Sequence, residues 1–247
     1  MTTSTEGLEL AQLAFYAIAS FPAIYCLITH GKHGLVGWLY VLAMCGLRLA
    51  GNGMAYHELS TTGKPSTSAS IINGIGLSPL LLAALGILHE ANHSIQSALP
   101  AFLGLFGLLI PHMVIAGGIG LAAASGKSPH LLEVGLIIFT TGWLIVLGLV
   151  ILSVRANARH RRLGPERQLL LAIEIAMPLI GVRVLYAMVI AFKHQNVSGG
   201  SLVAKVILGT IPEFLIMISY LSAGLATRHL ARDRAEKGPQ PASNTSV

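Results

Sequence analysis

The sequence predicts an all-α, polytopic membrane protein: seven transmembrane helices in one bundle. Three observations lead there. Of 247 residues, 53% are hydrophobic and only 11% are charged, and the mean hydropathy is +0.71. Soluble domains carry about 25% charged residues, so this chain lacks the polar surface to face water on every side. Apolar runs long enough to cross a hydrocarbon core of about 30 Å recur along the chain. The net charge of +6 is gathered at the ends of those runs, a pattern of membrane topology that makes a nucleic-acid partner unexpected.

Residues 1–7 form a short polar N-terminal segment, too acidic for a cleaved signal peptide. The bundle follows over residues 8–227. In lipid the backbone must satisfy its own hydrogen bonds, so each apolar run is read as a helix. The first run, 8–29, holds Cys26, and the second, 35–56, holds Cys45, Arg48 and Asn52. Both cysteines are read as small packing residues. The third run, 68–89, holds Asn73 and Ser78; the fourth, 99–124, holds His112; the fifth, 132–154, holds Thr140 and Thr141. The sixth, 168–192, carries Glu174, Arg183 and Tyr186, and the seventh, 202–226, carries Glu213 and Tyr220. Residues 228–247 read as a basic, then disordered, cytosolic tail.

Charge sets the expected orientation. Arg155, Arg159, Arg161, Arg162 and Arg167 lie between runs five and six, and Arg228, Arg232, Arg234 and Lys237 follow run seven. These segments share a side with Lys32, whereas the opposite loops hold only Lys64, Lys127, Lys193 and Lys205. By the positive-inside rule the C-terminus is cytosolic and the N-terminus outside or lumenal. The sequon Asn196-Val197-Ser198 is then a lumenal candidate for glycosylation. The expected compartment is the endoplasmic reticulum or another endomembrane, with the lipid bilayer as the surrounding partner. Nothing in the chain specifies an oligomeric state.

Ionisable groups at membrane depth cost about 2.5–3.5 kcal/mol on insertion scales and normally face a protein interior. At 1.5 Å per residue, Arg48, His112, Arg183 and Glu213 fall in one layer of the middle-to-lumenal half, while Glu174 is shallower and cytosolic. Asn52 lies one turn from Arg48 on the same face, and Tyr220 lies two turns beyond Glu213. Pro79, Pro111 and Pro212 each adjoin a polar residue (Ser78, His112 and Glu213), and Pro178 frees the carbonyl of Glu174. Helices kinked beside polar groups predict a central cavity. The plainer expectation for Arg48, Arg183 and Glu213 is a buried ion network that holds the bundle in register.

Two motifs compete with that picture. His89-Glu90-Ala91-Asn92-His93 spells H-E-x-x-H, which on a continuing helix offers two imidazoles to zinc and a carboxylate to water. A third ligand is not evident, the nearest candidates being His160 and Glu166, and the segment reads instead as an interfacial polar turn. Gly126-Lys127-Ser128 resembles the end of a phosphate-binding loop, but Gly120 is one residue too far upstream and no strand precedes it.

The strings "GLRLAGN", "NGIGLSPLLLAALGIL", "GVRVLYAM" and "IPEFLIMISYLSAGL" resemble a fungal seven-helix membrane family catalogued as a domain of unknown function. The resemblance covers residues 8–226, most specifically Arg48, Gly76-Leu77-Ser78-Pro79, Arg183 and Glu213. Small fungal seven-helix proteins act in terpenoid and meroterpenoid pathways, some as membrane-bound cyclases. By that analogy the expected activity is a metal-independent terpene cyclase or isomerase that protonates a lipophilic isoprenoid, without a cofactor. The only aspartate, Asp233, lies in the tail, so an Asp-rich magnesium site is not available. Glu213, Arg48 and Arg183 are the candidate catalytic residues, with Glu213 as the acid. Desolvation favours its protonated form; the arginines, which orient the substrate's polar head, favour its carboxylate. Asn52, Asn73, Ser78, His112, Tyr186 and Tyr220 are the candidate substrate-binding residues. Phe106, Phe139, Trp143, Tyr186, Phe214 and Tyr220 are candidates to line a carbocation site. The alternatives are a seven-helix transporter or receptor without catalysis, disfavoured as a transporter by the lack of evident inverted repeats, and an intramembrane metalloprotease using His89, Glu90 and His93.

Overall fold

The computed structural model describes residues 2–63, 76–98, 105–124, 129–159, 164–194 and 201–230, and these are helical almost throughout. We number the helices α1 (Thr2–Thr29), α2 (Gly31–Thr62), α3 (Leu77–Ala91), α4 (Leu105–Ala123), α5 (Pro129–Arg159), α6 (Gly164–His194) and α7 (Leu202–Ala226). Five of them, α1, α2, α5, α6 and α7, are long and apolar enough to cross a membrane, and α3 and α4 are shorter apolar helices. Their outward faces are apolar, with Phe21 75%, Ile28 74% and Met113 73% exposed. Such a surface is costly in water and suited to acyl chains. The chain therefore has the character of a multi-pass membrane protein.

Packing follows chain order. Helix α1 packs on α2 and α7, α2 on α3, α4 on α5, α5 on α6, and α6 on α7. Helix α3 also meets α4, α5 and α6, and every residue from 77 to 88 is buried. Its side chains fill the middle of the bundle, where the proline pattern predicts a cavity. Pro79 does not break this helix, because it lies in the first turn, where no backbone donor is needed. Pro111 and Pro178 lie inside continuous helices. Close approach to α3 is possible because Gly37 and Gly86 face each other: a Cβ on Gly86 would lie 2.5 Å from the Gly37 backbone.

Several boundaries differ from expectation, beginning with residues 2–7, expected as a polar segment ahead of the bundle and found within α1. Residues 30–34, expected as a loop, reduce to His30 alone, because Gly31 adopts a φ of 64° and α2 begins at once. Helix α2 then runs past residue 56 to Thr62, where Gly63 at φ 67° donates its N–H to the Leu59 carbonyl and closes the helix.

Candidate functional site

The site begins with local backbone chemistry in α7. Lys205–Thr210 is wound as a π-helix, and the Ile211 N–H donates to the Val206 carbonyl five residues back. Pro212, which has no N–H to donate, follows immediately. Beside this wide turn the Gly209 carbonyl accepts from Arg183 Nη1 of α6 at 2.8 Å. Single π turns inside helices recur at functional sites. Here the irregular turn delivers Glu213 to the junction of α1, α2, α6 and α7.

Glu213 is the hub. Arg48 Nη2 donates to its Oε2 at 2.6 Å, and Arg48 Nε lies 2.5 Å from its Oε1. Arg183 Nη1 also donates to Oε2, and the Tyr16 hydroxyl donates to Oε1. Glu213, Arg48 and Tyr16 are buried, whereas 15% of the Arg183 side chain remains exposed. Charge-assisted bonds of this kind are about twice as strong as neutral ones. Among the described residues, two guanidinium groups share the Glu213 carboxylate. Phe15 stacks on Phe214 with ring centroids 3.9 Å apart, and Tyr16 meets both rings edge-on, so an aromatic wall adjoins the carboxylate.

Toward the N-terminal end of α1 the polar contacts continue in layers. Gln12 Nε2 donates to Thr210 Oγ1 at 3.3 Å, and Asn52 Nδ2 donates to Gln12 Oε1 at 3.3 Å. One turn further, Lys205 Nζ pairs with Glu9 Oε1 at 2.8 Å. Glu9, Gln12 and Tyr16 therefore occupy one face of α1, at the spacing of a helical stripe.

The structure brings together Arg48, Arg183 and Glu213, and reaches Asn52 through Gln12. Tyr186 is part-buried beside the π turn, 3.8 Å from where a Cβ on Gly209 would lie. Tyr220 is fully buried two turns below Glu213, and its hydroxyl has no hydrogen-bond partner among the described residues. Ser78 is buried in the first turn of α3. His112, expected in the same layer as Arg48, is elsewhere. Its Nδ1 bonds the Leu108 carbonyl of its own helix at 2.7 Å, and its ring lies 5.5 Å from that of Tyr40. Tyr40 is eight residues from Arg48, about 12 Å along α2. Of the aromatic candidates, Phe214 adjoins Glu213, whereas Trp143 donates to the Met177 carbonyl at 3.2 Å and Phe139 packs where α5 meets α4. Asn73 and the side chain of Phe106 lie outside the described residues.

The H-E-x-x-H segment has a different geometry from the zinc arrangement. Helix α3 ends at Ala91, and His93 begins a 3-10 turn, so His89 and His93 do not continue one helical face. Glu90 turns inward instead. It pairs with His30 Nδ1 at 2.7 Å and accepts from Trp38 Nε1 at 3.0 Å, while His30 Nε2 bonds the Gly224 carbonyl at 2.9 Å. His89 lines a cleft with Leu85, Leu88, Asn92, Leu108 and Leu149, and the His93 ring lies 4.0 Å from that of His33. Glu166 accepts from the Ser94 hydroxyl, and His160 lies outside the described residues.

No curated protein and no solved structure matches the chain. One family model, described as a domain of unknown function (DUF7702), matches residues 2–230. That is nearly the full length, and the chain belongs to this family.

Proposed function

We propose that the protein is a multi-pass membrane receptor or carrier whose Arg48–Glu213–Arg183–Tyr16 cluster holds the anionic group of a small lipophilic molecule. The observation that supports this is the convergence, among the described residues, of two guanidinium groups on the buried Glu213 carboxylate, one of them partly exposed. Ionisable groups at membrane depth are costly and mark ligand and ion pathways. A carboxylate or phosphate on the ligand pairs with the cluster, and the partly exposed Arg183 is the arm that meets it. Two shorter apolar helices beside five long ones support seven crossings. The arginines of 155–167 and 228–234 support a cytosolic C-terminus, an outside or lumenal N-terminus and an endomembrane location.

The test is a thermal-shift screen of amphiphilic carboxylates and phosphates against the protein in nanodiscs, since a ligand that binds the folded state raises its stability. Stabilisation by an anionic amphiphile but not by its methyl ester, lost in Arg183→Met, is the expected result. Equal stabilisation by acid and ester, or an unchanged response in Arg183→Met, contradicts it.

The aromatic wall of Phe15, Tyr16 and Phe214 beside Glu213 favours a second reading, a metal-independent cyclase or isomerase that protonates an isoprenoid. Co-expression with prenylated precursors in a clean host, followed by product analysis, separates the two. A new product that disappears in a stably inserted Glu213→Gln variant supports the enzyme; the same precursors recovered unchanged support the binding protein.

A further inference from the structure

We infer that a column of water enters the bundle between α1, α2 and α7 and connects the aqueous face at Glu9 and Lys205 to the Arg48–Glu213 cluster. Four independent features point to it. Polar side chains are stacked in three successive layers, Glu9–Lys205, then Gln12–Asn52–Thr210, then Tyr16–Arg48–Glu213. Two oxygens in the first two layers, Glu9 Oε2 and Asn52 Oδ1, are buried and find no hydrogen-bond partner among the described residues. Buried polar atoms are nearly always satisfied, by ordered water where protein does not reach them. Exchanging O and N in both amides leaves Asn52 with an unsatisfied atom all the same.

The middle layer is also loose. Both of its side-chain bonds are 3.3 Å long, against the usual 2.9–3.0 Å for a nitrogen donor. Long direct bonds hold these side chains weakly and leave them able to bond to water, which when buried makes two to four hydrogen bonds to polar groups. Finally, the layers line the π turn of Lys205–Thr210, where the helix is widest, and Lys205 at the mouth is 45% exposed. The other buried cluster has none of this: His30, Trp38 and Glu90 are fully buried, and a Cβ on Gly34 would lie 2.6 Å from the Glu90 carboxylate. The column gives water and protons a route to the charged site that does not pass through the acyl chains.

Water-edited solid-state NMR of the wild-type chain in lipid bilayers tests this. With asparagine, glutamine and tryptophan nitrogens labelled, magnetisation from water should build up on the Gln12 and Asn52 side-chain amides several-fold faster than on the Trp38 indole N–H. Build-up at Gln12 and Asn52 as slow as at Trp38 overturns the column. Asn52→Leu and Gln12→Leu variants assign the two amide signals. The column leads to the proposed anion site, but this measurement needs no ligand. A dry column would leave the anion site standing, and a failed ligand screen would leave the column standing.

Discussion

Of the buried carboxylates near the α1–α2–α7 seam, Glu213 and Glu90 are handled in opposite ways. Glu90 is closed in: its partners include an imidazole and an indole N–H, and glycines at 34 and 224 leave no free volume, since a Cβ on Gly224 would lie 2.2 Å from the Trp38 ring. Glu213 pairs with two arginines and stands beside a π turn and two unsatisfied polar atoms. The first arrangement is a lock between helices. The second has what an anion site needs: converging guanidinium groups, one of them partly exposed. Burial alone does not distinguish them; partners and space do.

Substitutions should separate the two clusters. The largest effect is expected for Glu213→Leu, which leaves two guanidinium groups buried without a counter-charge and should cost about 3–5 kcal/mol, measured as chemical unfolding in detergent. A loss no greater than that of a surface change would place the arginines in water. Next comes Glu90→Gln. It weakens the bonds to His30 and Trp38 and should cost on the order of 1–3 kcal/mol, yet leave the ligand response of the Arg183 site intact. Loss of that response would join the two clusters into one unit. Gly224→Val should fall in the same range, about 1–3 kcal/mol for overpacking against Trp38, and a compensating Trp38→Phe should recover part of it. The smallest effect is expected for Lys205→Gln, about 1 kcal/mol, because the Lys205 head is 45% exposed and the glutamine amide can still donate to the buried Glu9 carboxylate.

Much of this was legible in the chain, for identifiable reasons. Helix class and the convergence of Arg48, Arg183 and Glu213 follow from the cost of charge in lipid, which leaves ionisable side chains few places to go. Tyr16, Gln12 and Glu9 were not anticipated, although their spacing on α1 places them on one face; a tyrosine and a glutamine in an apolar run carry little cost and so little signal. Glu90 lies in a segment that reads as an interfacial polar turn; its buried pairing is not legible, because the sequence does not reveal that Gly34 and Gly224 make room for its carboxylate and for Trp38. Depth alone puts His112 in the Arg48 layer, and depth does not specify which neighbour a helix presents. The π turn at Lys205–Thr210 has no composition of its own; Pro212 hints at it, but only packing against Arg183 selects it.

The most direct measurement is the stability of Arg183→Met set beside that of Glu213→Leu in the same nanodiscs. If the cluster carries one surplus positive charge, Arg183→Met leaves a neutral Arg48–Glu213 pair and should keep wild-type stability within about 1 kcal/mol while abolishing stabilisation by an anionic amphiphile. Glu213→Leu, which doubles the surplus, should lose about 3 kcal/mol or more. Equal losses in the two variants, with the anionic response retained in Arg183→Met, would contradict a charged ligand site and leave only a structural ion network.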